Sequence, residues 1–403
     1  MKAHLIKFGS EKELAQAALR LGASEASLRF FEARREMLQI YVTDVPSPAA
    51  SIIKQEMLSR GGDAAVHANV INCGVERSDV IIFGTAKQLG HLADKLELMP
   101  WWKLSALAAD IRRLTAPHAK RAVKLPCGAE LTFGERTLLM GIINLTDDSF
   151  FGGSRCYGDA DKAAARAVKM AEDGADILDL GAESTRPGAP RVPEKQERER
   201  MSAAVAAIRR ELPHMPLSID TTRASVAEAA LANGADIIND VSGLQFDSGI
   251  AAVAARYKAM LVLMHMRGAP SDMQTMCGYD NLLSELCSFL EDAADKAVSL
   301  GVARESIIID PGIGFAKDYG QNLFLLRHCG SFKALGYPLL IGASRKGCVG
   351  KATGRAVEER LAGTLAVTAL CCRQGADIIR VHDVRENKDV IKMTEAIQGA
   401  EYV

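Results

Sequence analysis

Polar residues stand at the end of eight short apolar runs in the C-terminal two thirds of the chain. They are Asn144, Glu183, Asp220, Asn239 with Asp240, His265, Asp310, Lys346, and Arg380 with His382. If these runs are parallel strands, their carboxyl ends meet at one face of the fold, which is where such folds bind ligands. Because every run ends in a group that can bind or donate, a binding site is favoured over eight unrelated turn formers.

Four of these residues have the chemistry to hold a flat heterocycle. Asp220, Asn239, Asp310 and Lys346 offer two carboxylates, one amide and one cation. A carboxylate accepts two parallel N–H bonds from a guanidine-like edge, and a lysine donates to a carbonyl oxygen. We refer to these four residues as the ring-binding set.

A second group suits a polyphosphate, and we refer to it as the phosphate-binding set. Its members are Asn144, Thr185, Arg186, Arg380 and His382. Arginine matches phosphate oxygens in a bidentate manner, and an amide oxygen beside phosphate oxygens suits Mg²⁺. Arg380 and His382 lie two residues apart on a predicted strand, so their side chains share one face. The sequence therefore predicts a phosphate site in which Asn144 is a ligand of Mg²⁺.

A phrase that begins Gly-Ala-Asp occurs three times and indicates how the chain positions these residues. It is GADILDLG at 174–181, GADIINDVSG at 234–243 and GADIIRVHDV at 375–384. Each copy follows an alanine-rich stretch with apolar residues at helical spacing and leads into a β-branched run. A helix that ends at glycine and continues into a buried strand has this pattern. Each copy is therefore predicted to join a helix to a strand.

The spacing between the copies predicts the fold. Gly174 and Gly234 are 60 residues apart, and Gly234 and Gly375 are 141 residues apart. These separations fit two and four βα units of about 30–35 residues each. Filling the gaps with apolar runs gives eight strands, near 138–144, 177–181, 216–220, 236–240, 261–265, 307–310, 338–342 and 377–382. We predict an α/β fold, a (β/α)₈ TIM barrel over residues 137–403, with a doubly wound open sheet as the alternative.

Residues 1–115 are predicted to form a small separate α/β module, whose role the sequence does not indicate. Its predicted strands are His4–Phe8, Met37–Thr43, Ala65–Ile71 and Asp79–Phe83, and its predicted helices are Lys12–Leu21, Ala49–Ser59, 86–98 and 102–114. Residues 116–136 contain Pro117, Pro126 and a Cys127-Gly128 turn, which predict a linker followed by a hairpin at the floor of the barrel.

Composition excludes several classes of protein. The 49 Lys and Arg residues nearly balance 50 Asp and Glu residues and give a net charge of −1, so we expect no nucleic-acid binding. Nine cysteines without CxxC spacing predict neither a zinc site nor a disulfide framework. The longest apolar stretch, Ala259–Met266, is far shorter than the ~20 residues needed to cross a bilayer. The N-terminus becomes polar too early for a secretory signal, so we expect a cytoplasmic protein.

Eight segments together resemble dihydropteroate synthase of the folate pathway. They are MGIINLTDDSF (140–150), DLGAESTRPGA (179–189), SIDT (218–221), NDVSG (239–243), HMRGAP (265–270), DPGIGF (310–315), SRKG (344–347) and RVHDV (380–384). They occur in the order and at the spacing expected of that family, over about residues 135–395. One segment alone is weak, since DPGIGF by itself is only a glycine-rich turn. Eight in order are specific.

The resemblance implies a reaction and a set of ligands. 6-Hydroxymethyl-7,8-dihydropterin pyrophosphate would condense with 4-aminobenzoate to give 7,8-dihydropteroate and pyrophosphate. The ring-binding set would hold the pterin, and Asn144, Arg380 and His382 would hold the pyrophosphate and its Mg²⁺. Thr185 and Arg186 would reach the phosphates and order the 4-aminobenzoate site. The residues completing that site would be Pro187, Phe315 and the backbone around Gly347. A homodimer through barrel helices is implied by the family only.

The mechanism expected from the resemblance depends on positioning and on stabilising the leaving group. The residues expected to act in catalysis are Asp220, Lys346, Arg380 and His382. Mg²⁺, Arg380 and His382 would neutralise the departing pyrophosphate, while Asp220 offsets the charge of a pterin methylene cation. The arylamine would then attack and lose its proton late, along an S_N1-like path.

The chain departs from the family pattern mainly in its first loop. The family commonly has Pro where this chain has Asp147, and Asp where it has Gly152. Gly347 stands where many members have Ser, so backbone N–H groups would replace a hydroxyl bond to the 4-aminobenzoate carboxylate. These departures affect the 4-aminobenzoate site more than the pterin site.

Two other functions are compatible with part of the pattern. A corrinoid-linked methyltransferase that binds methyltetrahydrofolate shares the Asp and Asn pterin residues, but it would not need ESTRPG, SRKG or the Arg380 and His382 pair. A pterin-binding protein that has lost catalysis is the other alternative, because of the altered first loop. His265 is expected to be either a core histidine that supports a loop or a direct ligand, and the core role is favoured.

Overall fold

The computed structural model describes residues 11–26, 28, 36–116, 120–145, 159–183, 192–269 and 272–400. The chain divides into two compact units, one within Met1–Pro117 and Gln398–Val403 and the other within His118–Ile397. No described helix is long and apolar enough to span a membrane. The (β/α)₈ barrel and the separate α/β region before it are both confirmed.

The first unit is built on a three-stranded antiparallel sheet in the order β1-β3-β2. Its elements are α1 (Glu11–Arg20), β1 (Leu38–Pro46), α2 (Ser47–Ser59), β2 (Asp63–Ala65), β3 (Arg77–Gly84), α3 (Ala86–Glu97) and α4 (Leu104–Thr115). Buried side chains of helices α2 and α3, among them Ile53, Met57, Leu89 and Leu92, form its core with the sheet.

The strand predicted at Ala65–Ile71 is wrong. The strand ends at Ala65, and a single 3₁₀ turn, Ala68–Val70, follows it. His67 begins this turn, because its ring Nδ1 accepts a hydrogen bond from the Asn69 backbone N–H at 3.1 Å. A side chain that satisfies a free N–H in this way favours a turn over a strand. The strand predicted at His4–Phe8 lies outside the described residues.

The second unit is a closed barrel of eight parallel strands. They are β6 (Leu138–Asn144), β7 (Ile177–Gly181), β8 (Leu217–Asp220), β9 (Ile237–Asp240), β10 (Met260–Met264), β11 (Ile307–Asp310), β12 (Leu340–Ile341) and β13 (Ile378–Val381). Neighbours in the chain are neighbours in the sheet, β13 pairs with β6, and a bridge between Ile309 and Leu339 closes the ring. Strand β12 is shorter than predicted, and the chain before it contains Pro338, which has no N–H to donate.

Helices follow the strands and cover the outside of the barrel. They are α5 (Ala160–Glu172), α6 (Glu194–Glu211), α7 (Ala224–Ala232), α8 (Gly249–Tyr257), α9 (Leu282–Ser299), α10 (Tyr319–Arg327), α11 (Gly347–Thr353), α12 (Leu361–Arg373) and α13 (Val384–Gln398). Successive residues of a strand point to opposite faces. One set of strand residues therefore packs in the layer between the barrel and the helices, and the other set packs inside the barrel. In β7, Leu178 and Leu180 pack outward with the helices, while Ile177 packs inside the barrel.

The predicted hairpin is present at the floor of the barrel. Strands β4 (Arg121–Lys124) and β5 (Glu130–Phe133) pair antiparallel. Val123, Leu131 and Phe133 are buried in the same cluster as the inward residues at the start of the barrel strands. The hairpin therefore covers the end of the barrel opposite the strands' carboxyl ends.

The repeated Gly-Ala-Asp phrase has a structural cause. In each copy the aspartate accepts a backbone N–H from the start of the preceding strand in the barrel. These bonds join Asp176 to Leu139 N at 2.8 Å, Asp236 to Leu217 N at 3.0 Å and Asp377 to Leu339 N at 2.8 Å. Each carboxylate also forms ion pairs. Asp176 pairs with Arg136 and Lys388, Asp236 pairs with Arg209, and Asp377 pairs with Lys333. The three aspartates therefore tie adjacent strands together at the floor of the barrel.

Removing one of these carboxylates is expected to destabilise the chain strongly. Asp236 is fully buried; its loss removes the carboxylate that pairs with Arg209 and leaves the Leu217 and Cys127 backbone N–H groups without their partner. Breaking a buried ion pair from one side costs about 3–5 kcal/mol. Asp236→Ala should therefore lower the free energy of unfolding by about that amount in urea titrations followed by circular dichroism.

Asp295→Ala is the matched control. Asp295 is 75% exposed and lies 3.7 Å from Arg304, and an exposed pair contributes little. Equal effects of the two substitutions would contradict a structural role for the repeated aspartate.

Candidate active site

A cavity of about 500 Å³ opens at the carboxyl ends of the barrel strands. All four residues of the ring-binding set line it, as do Asn144, Arg380, His382, Phe315 and Gly347. The structure thus brings together the predicted site residues that it describes. Thr185, Arg186 and Pro187, and the altered positions Asp147 and Gly152, lie outside the described residues.

Strand alternation explains why these side chains face the cavity. Asn144, Asn239, Asp310 and Arg380 occupy the same inward phase of their strands as the apolar floor residues two or four positions earlier. Asp220 shares the inward phase of the buried Ser218 on β8, because Leu217 and Ile219 pack outward with the helices. Two inward positions are glycines, at 181 and 342. A Cβ at either position would lie within 3.7–4.0 Å of other site residues, including Asp220 at Gly181 and Arg380 at Gly342. The glycines leave room for a flat ligand.

Arg380 lies between two carboxylates inside the barrel. Its Nε donates to Asp179 Oδ2 at 2.6 Å, and its Nη2 donates to Asp220 Oδ2 at 2.8 Å. Burial raises the pKa of Asp220 to about 7, against the attraction of Arg380. Burial likewise raises the pKa of Asp310, although Lys346 opposes the shift. Both ring-binding carboxylates are thus held where their charge is poorly solvated.

Lys346 faces these carboxylates across the cavity. Its Nζ donates to the Ile313 carbonyl and lies 4.6 Å from the centre of the Phe315 ring. Burial lowers its pKa to about 8, while the charge of Asp310 acts in the opposite direction. A Cβ at Gly314 would lie only 3.2 Å from Lys346 Cδ, so the glycine leaves room for the aliphatic part of the lysine side chain.

The DPGIGF segment is a turn that fixes Asp310. The carboxylate Oδ1 accepts from the Gly312 backbone N–H at 2.7 Å. Gly312 has a φ of 71°, and a Cβ there would lie 2.1 Å from the His265 carbonyl oxygen. Only glycine fits this position.

Arg345 anchors the loop that carries Lys346. Its Nε and Nη2 bind the two oxygens of Asp383 at 2.8 and 2.9 Å, immediately beyond strand β13. Its backbone N–H donates to Thr364 Oγ1 at 3.0 Å. Both Arg345 and Lys346 line the cavity, and the bonds of the buried arginine hold the position of the lysine that follows it.

His382 is uncharged in this site at neutral pH. Burial, reinforced by Arg380, Arg345 and Lys346, lowers its pKa to about 3. Its Nδ1 lies 2.9 Å from Ser344 Oγ. His382 therefore presents a neutral imidazole to the cavity.

His265 has the core role that was favoured. It is buried, and its ring packs edge-on against Phe289 with centroids 4.8 Å apart. Its Nδ1 lies 3.0 Å from the amine of Lys317, which also donates to the Phe315 carbonyl at 2.8 Å. Burial lowers the pKa of Lys317 to about 7.

Two buried residues in or beneath the cavity were not predicted. Lys317 lines it two positions after Phe315, and Asp179 lies beneath it. The alternation of strand β7, with Ile177 inside, was the signal for Asp179. Lys317 follows an irregular turn and offers no periodic signal.

Two residues at predicted strand ends have local partners. Asp240 accepts from the Ser242 and Leu244 backbone N–H groups at 2.8 and 2.6 Å and shapes a turn. Glu183 lines the cavity and lies 3.6 Å from Arg223.

One wall of the cavity is apolar. Val241, Met264, Met266, Met273, Phe315 and Ala316 form a buried cluster, of which four residues line the cavity. Apolar and sulfur-containing side chains of this kind suit the face of an aromatic ring. Edge-binding polar groups and an apolar wall together fit a flat heterocycle better than a sugar.

The described residues contain no cluster of three or more His, Cys, Asp or Glu side chains able to hold a metal ion. Mg²⁺ commonly binds through one or two protein oxygens together with substrate phosphates. Asn144, at the cavity wall, is compatible with that mode.

Comparison with known proteins tests the predicted identity. A model of the family described as pterin binding enzyme matches residues 140–382, more than half of the chain. The dihydropteroate synthase of Synechocystis is 46% identical over 278 residues, covering 68% of this chain and 94% of that protein. A bifunctional dihydropteroate synthase/dihydropteroate reductase of Helicobacter pylori is 34% identical over 360 residues and 89% of each protein.

A solved structure gives the same result. The structure of Xanthomonas albilineans dihydropteroate synthase with 4-aminobenzoic acid has a TM-score of 0.63 and 38% identity, covering 70% of this chain and all of that one. The predicted synthase is confirmed over the methyltransferase and the non-catalytic alternatives. The chain therefore belongs to the pterin-binding enzymes and, within them, to the dihydropteroate synthases, which are transferases.

Proposed function

We propose that the ring-binding set holds the pterin of 6-hydroxymethyl-7,8-dihydropterin pyrophosphate. The observation that carries this proposal is the placement of Asp220, Asp310 and Lys346 around one cavity with an apolar wall, with Asp310 buried and the other two half-buried. The pterin's amino and ring N–H groups suit the carboxylates, and its carbonyl suits the lysine. These bonds would repay the cost of keeping the charged groups out of water.

The pyrophosphate is assigned to Asn144, Arg380 and His382 at the same cavity, together with Thr185 and Arg186. Asn144 would hold Mg²⁺ with the phosphate oxygens, and the ion would stabilise negative charge on the leaving group. His382, neutral before binding, can donate one N–H bond to a phosphate oxygen. A neighbouring pyrophosphate favours the protonated imidazole, so binding is expected to raise its pKa.

The chemistry follows from charge placement. As the bond to pyrophosphate lengthens, positive charge develops on the pterin methylene group, and Asp220 offsets it from a fixed position. Arg380 and His382 bind the departing oxygens. The amine of 4-aminobenzoate attacks the methylene carbon and loses its proton afterwards. The protein therefore supplies orientation and electrostatics without a covalent nucleophile.

The 4-aminobenzoate site is assigned to Thr185, Arg186, Pro187, Phe315 and Gly347. The backbone N–H groups around Gly347, at the start of helix α11, suit a carboxylate. A Cβ at Gly347 would meet no atom within 4 Å, so the serine common in the family would fit. A sulfonamide analogue of 4-aminobenzoate should compete for this site.

The synthase assay measures pyrophosphate released from the pterin substrate with Mg²⁺, with and without 4-aminobenzoate, on the full chain. We expect release that depends on 4-aminobenzoate and yields dihydropteroate. Lys346→Ala and Asp220→Ala should abolish this turnover and leave the circular dichroism spectrum unchanged. Lys162→Ala, whose side chain is 66% exposed, is the control. Near-normal turnover in either site variant would refute the pterin assignment.

The pH profile is expected to be narrow. Below about 7, Asp220 gains a proton and accepts fewer N–H bonds. Above about 8, Lys346 loses its proton and its charge-assisted bond weakens. The kcat/KM for the pterin substrate should therefore peak between these values and fall about tenfold per pH unit on either side.

Two variants assign the limbs of this profile. Asp220→Asn should remove the acidic limb, and Lys346→Arg should remove the basic limb because arginine stays charged there. A limb that comes from ionisation of the substrate itself should remain in both variants. Limbs that do not respond to either substitution would contradict the assignment.

We also propose a homodimer through barrel helices α10 and α12. Leu323 and Phe324 of α10 and Leu370 of α12 are each 40–42% exposed, and the two helices contact one another. Adjacent exposed apolar residues favour a partner surface. Light scattering should give twice the chain mass, and Phe324→Glu should give the monomer; a monomeric parent protein would contradict the proposal.

A second activity is favoured by one comparison. The match to the Helicobacter pylori synthase/reductase leaves only about a tenth of this chain uncovered. The first unit contains more residues than that, so the match includes part of the first unit. We propose that the full chain also reduces dihydropteroate. Incubation with dihydropteroate and a reduced nicotinamide or flavin should yield tetrahydropteroate, and unchanged dihydropteroate with every reductant would refute this activity.

A further inference from the structure

Asp179 is a buried carboxylate with no role in the mechanism described above. It lies in strand β7 and has no solvent exposure. Its neighbours Leu178 and Leu180 pack outward with the helices, so Asp179 faces the inside of the barrel. It is not one of the residues that line the cavity.

Asp179 joins residues from two other strands through one oxygen atom. Its Oδ2 accepts from Arg380 Nε at 2.6 Å and from Asn239 Nδ2 at 3.3 Å. Arg380 belongs to the phosphate-binding set and Asn239 to the ring-binding set. Asp179 therefore connects the two halves of the proposed substrate site from beneath.

The bond to Asn239 fixes which end of the amide meets the ligand. An amide has a donating NH₂ end and an accepting oxygen end, and its orientation follows from its hydrogen-bond partners. Because Nδ2 is directed to Asp179, Oδ1 is the atom available to accept an N–H bond from the pterin. Without the carboxylate, both orientations of the amide become accessible.

The bond to Arg380 fixes a long and flexible side chain. Nε is directed to Asp179 and Nη2 to Asp220, which leaves Nη1 for a phosphate oxygen. Two anchoring carboxylates reduce the rotamer freedom that the guanidinium loses on binding pyrophosphate.

We propose that Asp179 is a positioning residue that acts through Arg380 and Asn239. It orients the amide toward the pterin and the guanidinium toward the pyrophosphate, without touching either. This inference rests on the proposed assignment of those two residues to the substrate.

The test is Asp179→Asn, which keeps the shape and removes the charge. Calorimetry with 6-hydroxymethyl-7,8-dihydropterin measures the pterin affinity, which depends on the Asn239 contact. Calorimetry with inorganic pyrophosphate and Mg²⁺ measures the pyrophosphate affinity, which depends on the Arg380 contact. Both affinities should fall by about fivefold or more, while the KM for 4-aminobenzoate changes by less than about twofold. A structural defect would affect all three alike.

Ser218→Ala is the matched control. Ser218 pairs in register with Asp179 on strand β8 and is fully buried. Its hydroxyl has no hydrogen-bond partner among the described residues. Removing it alters the same layer of the barrel without disturbing the contacts of Asp179 with Asn239 and Arg380. The affinities for the pterin and for pyrophosphate should therefore match those of the parent protein.

Double variants separate positioning from general damage. In an Asn239→Ala background, Asp179→Asn should cost less than about twofold in pterin affinity. In an Arg380→Met background, it should cost less than about twofold in pyrophosphate affinity. Equal losses in every background, or unchanged affinities in the single variant, would overturn the inference.

Failure of the variant to fold and failure of the proposed function can each be distinguished from failure of the inference. If Asp179→Asn fails to fold, Asp179→Asn with Arg380→Met removes both charges of the pair. This double variant should bind the pterin about fivefold more weakly than Arg380→Met alone, and equal binding would overturn the inference. If the parent protein shows no pyrophosphate release that depends on 4-aminobenzoate, the proposed function fails instead.

Discussion

The burial of opposite charges in the mouth of the barrel is the interaction on which the site depends. Asp220 and Asp310 are carboxyl groups in a place where water is scarce, and burial raises the pKa of both. Arg380 offsets that cost through its bond to Asp220, and the charge of Lys346 acts in the same direction on Asp310. Such a cluster is stable only when every member is held in place, because a missing partner leaves an uncompensated charge. The turns and anchors around it, such as Gly312 beneath Asp310 and Asp383 against Arg345, meet this requirement.

The two ends of the barrel use the same chemistry for different purposes. At the floor, Asp176, Asp236 and Asp377 accept backbone N–H groups of neighbouring strands and are paired with arginine or lysine, so their bonding is satisfied within the protein. At the mouth, the carboxylates face a cavity and keep oxygen atoms available to a ligand. A carboxylate with both oxygens bonded within the protein, as in the three floor aspartates, has little to gain from a substrate, whereas Gly312 occupies only Oδ1 of Asp310. This difference separates structural from functional aspartates in barrels of this type.

Periodicity made most of the fold predictable, and strand ends made most of the site predictable. Eight apolar runs at the spacing of βα units led to the barrel, and the residue that ends a strand identified Asp220, Asn239 and Asp310. The same rule missed Asp179, because that residue precedes the end of its strand by two positions and shares its inward phase. Lys317 was missed for another reason: its environment comes from His265, which is distant in the sequence. The strand predicted at Ala65–Ile71 failed because a histidine side chain caps a turn there.

The position of Arg380 shows what sequence reasoning about side chains leaves open. Alternation gives the face of the strand on which Arg380 lies, and the family pattern assigns it to pyrophosphate. The side chain is long, however, and the guanidinium contacts the carboxylates of Asp179 and Asp220. Charge favours this placement. If pyrophosphate binds here as proposed, the arginine can serve both by keeping Nε on Asp179 and Nη2 on Asp220 while Nη1 binds the phosphate. A guanidinium with five donors can divide its bonds in this way, whereas a lysine at this position could not.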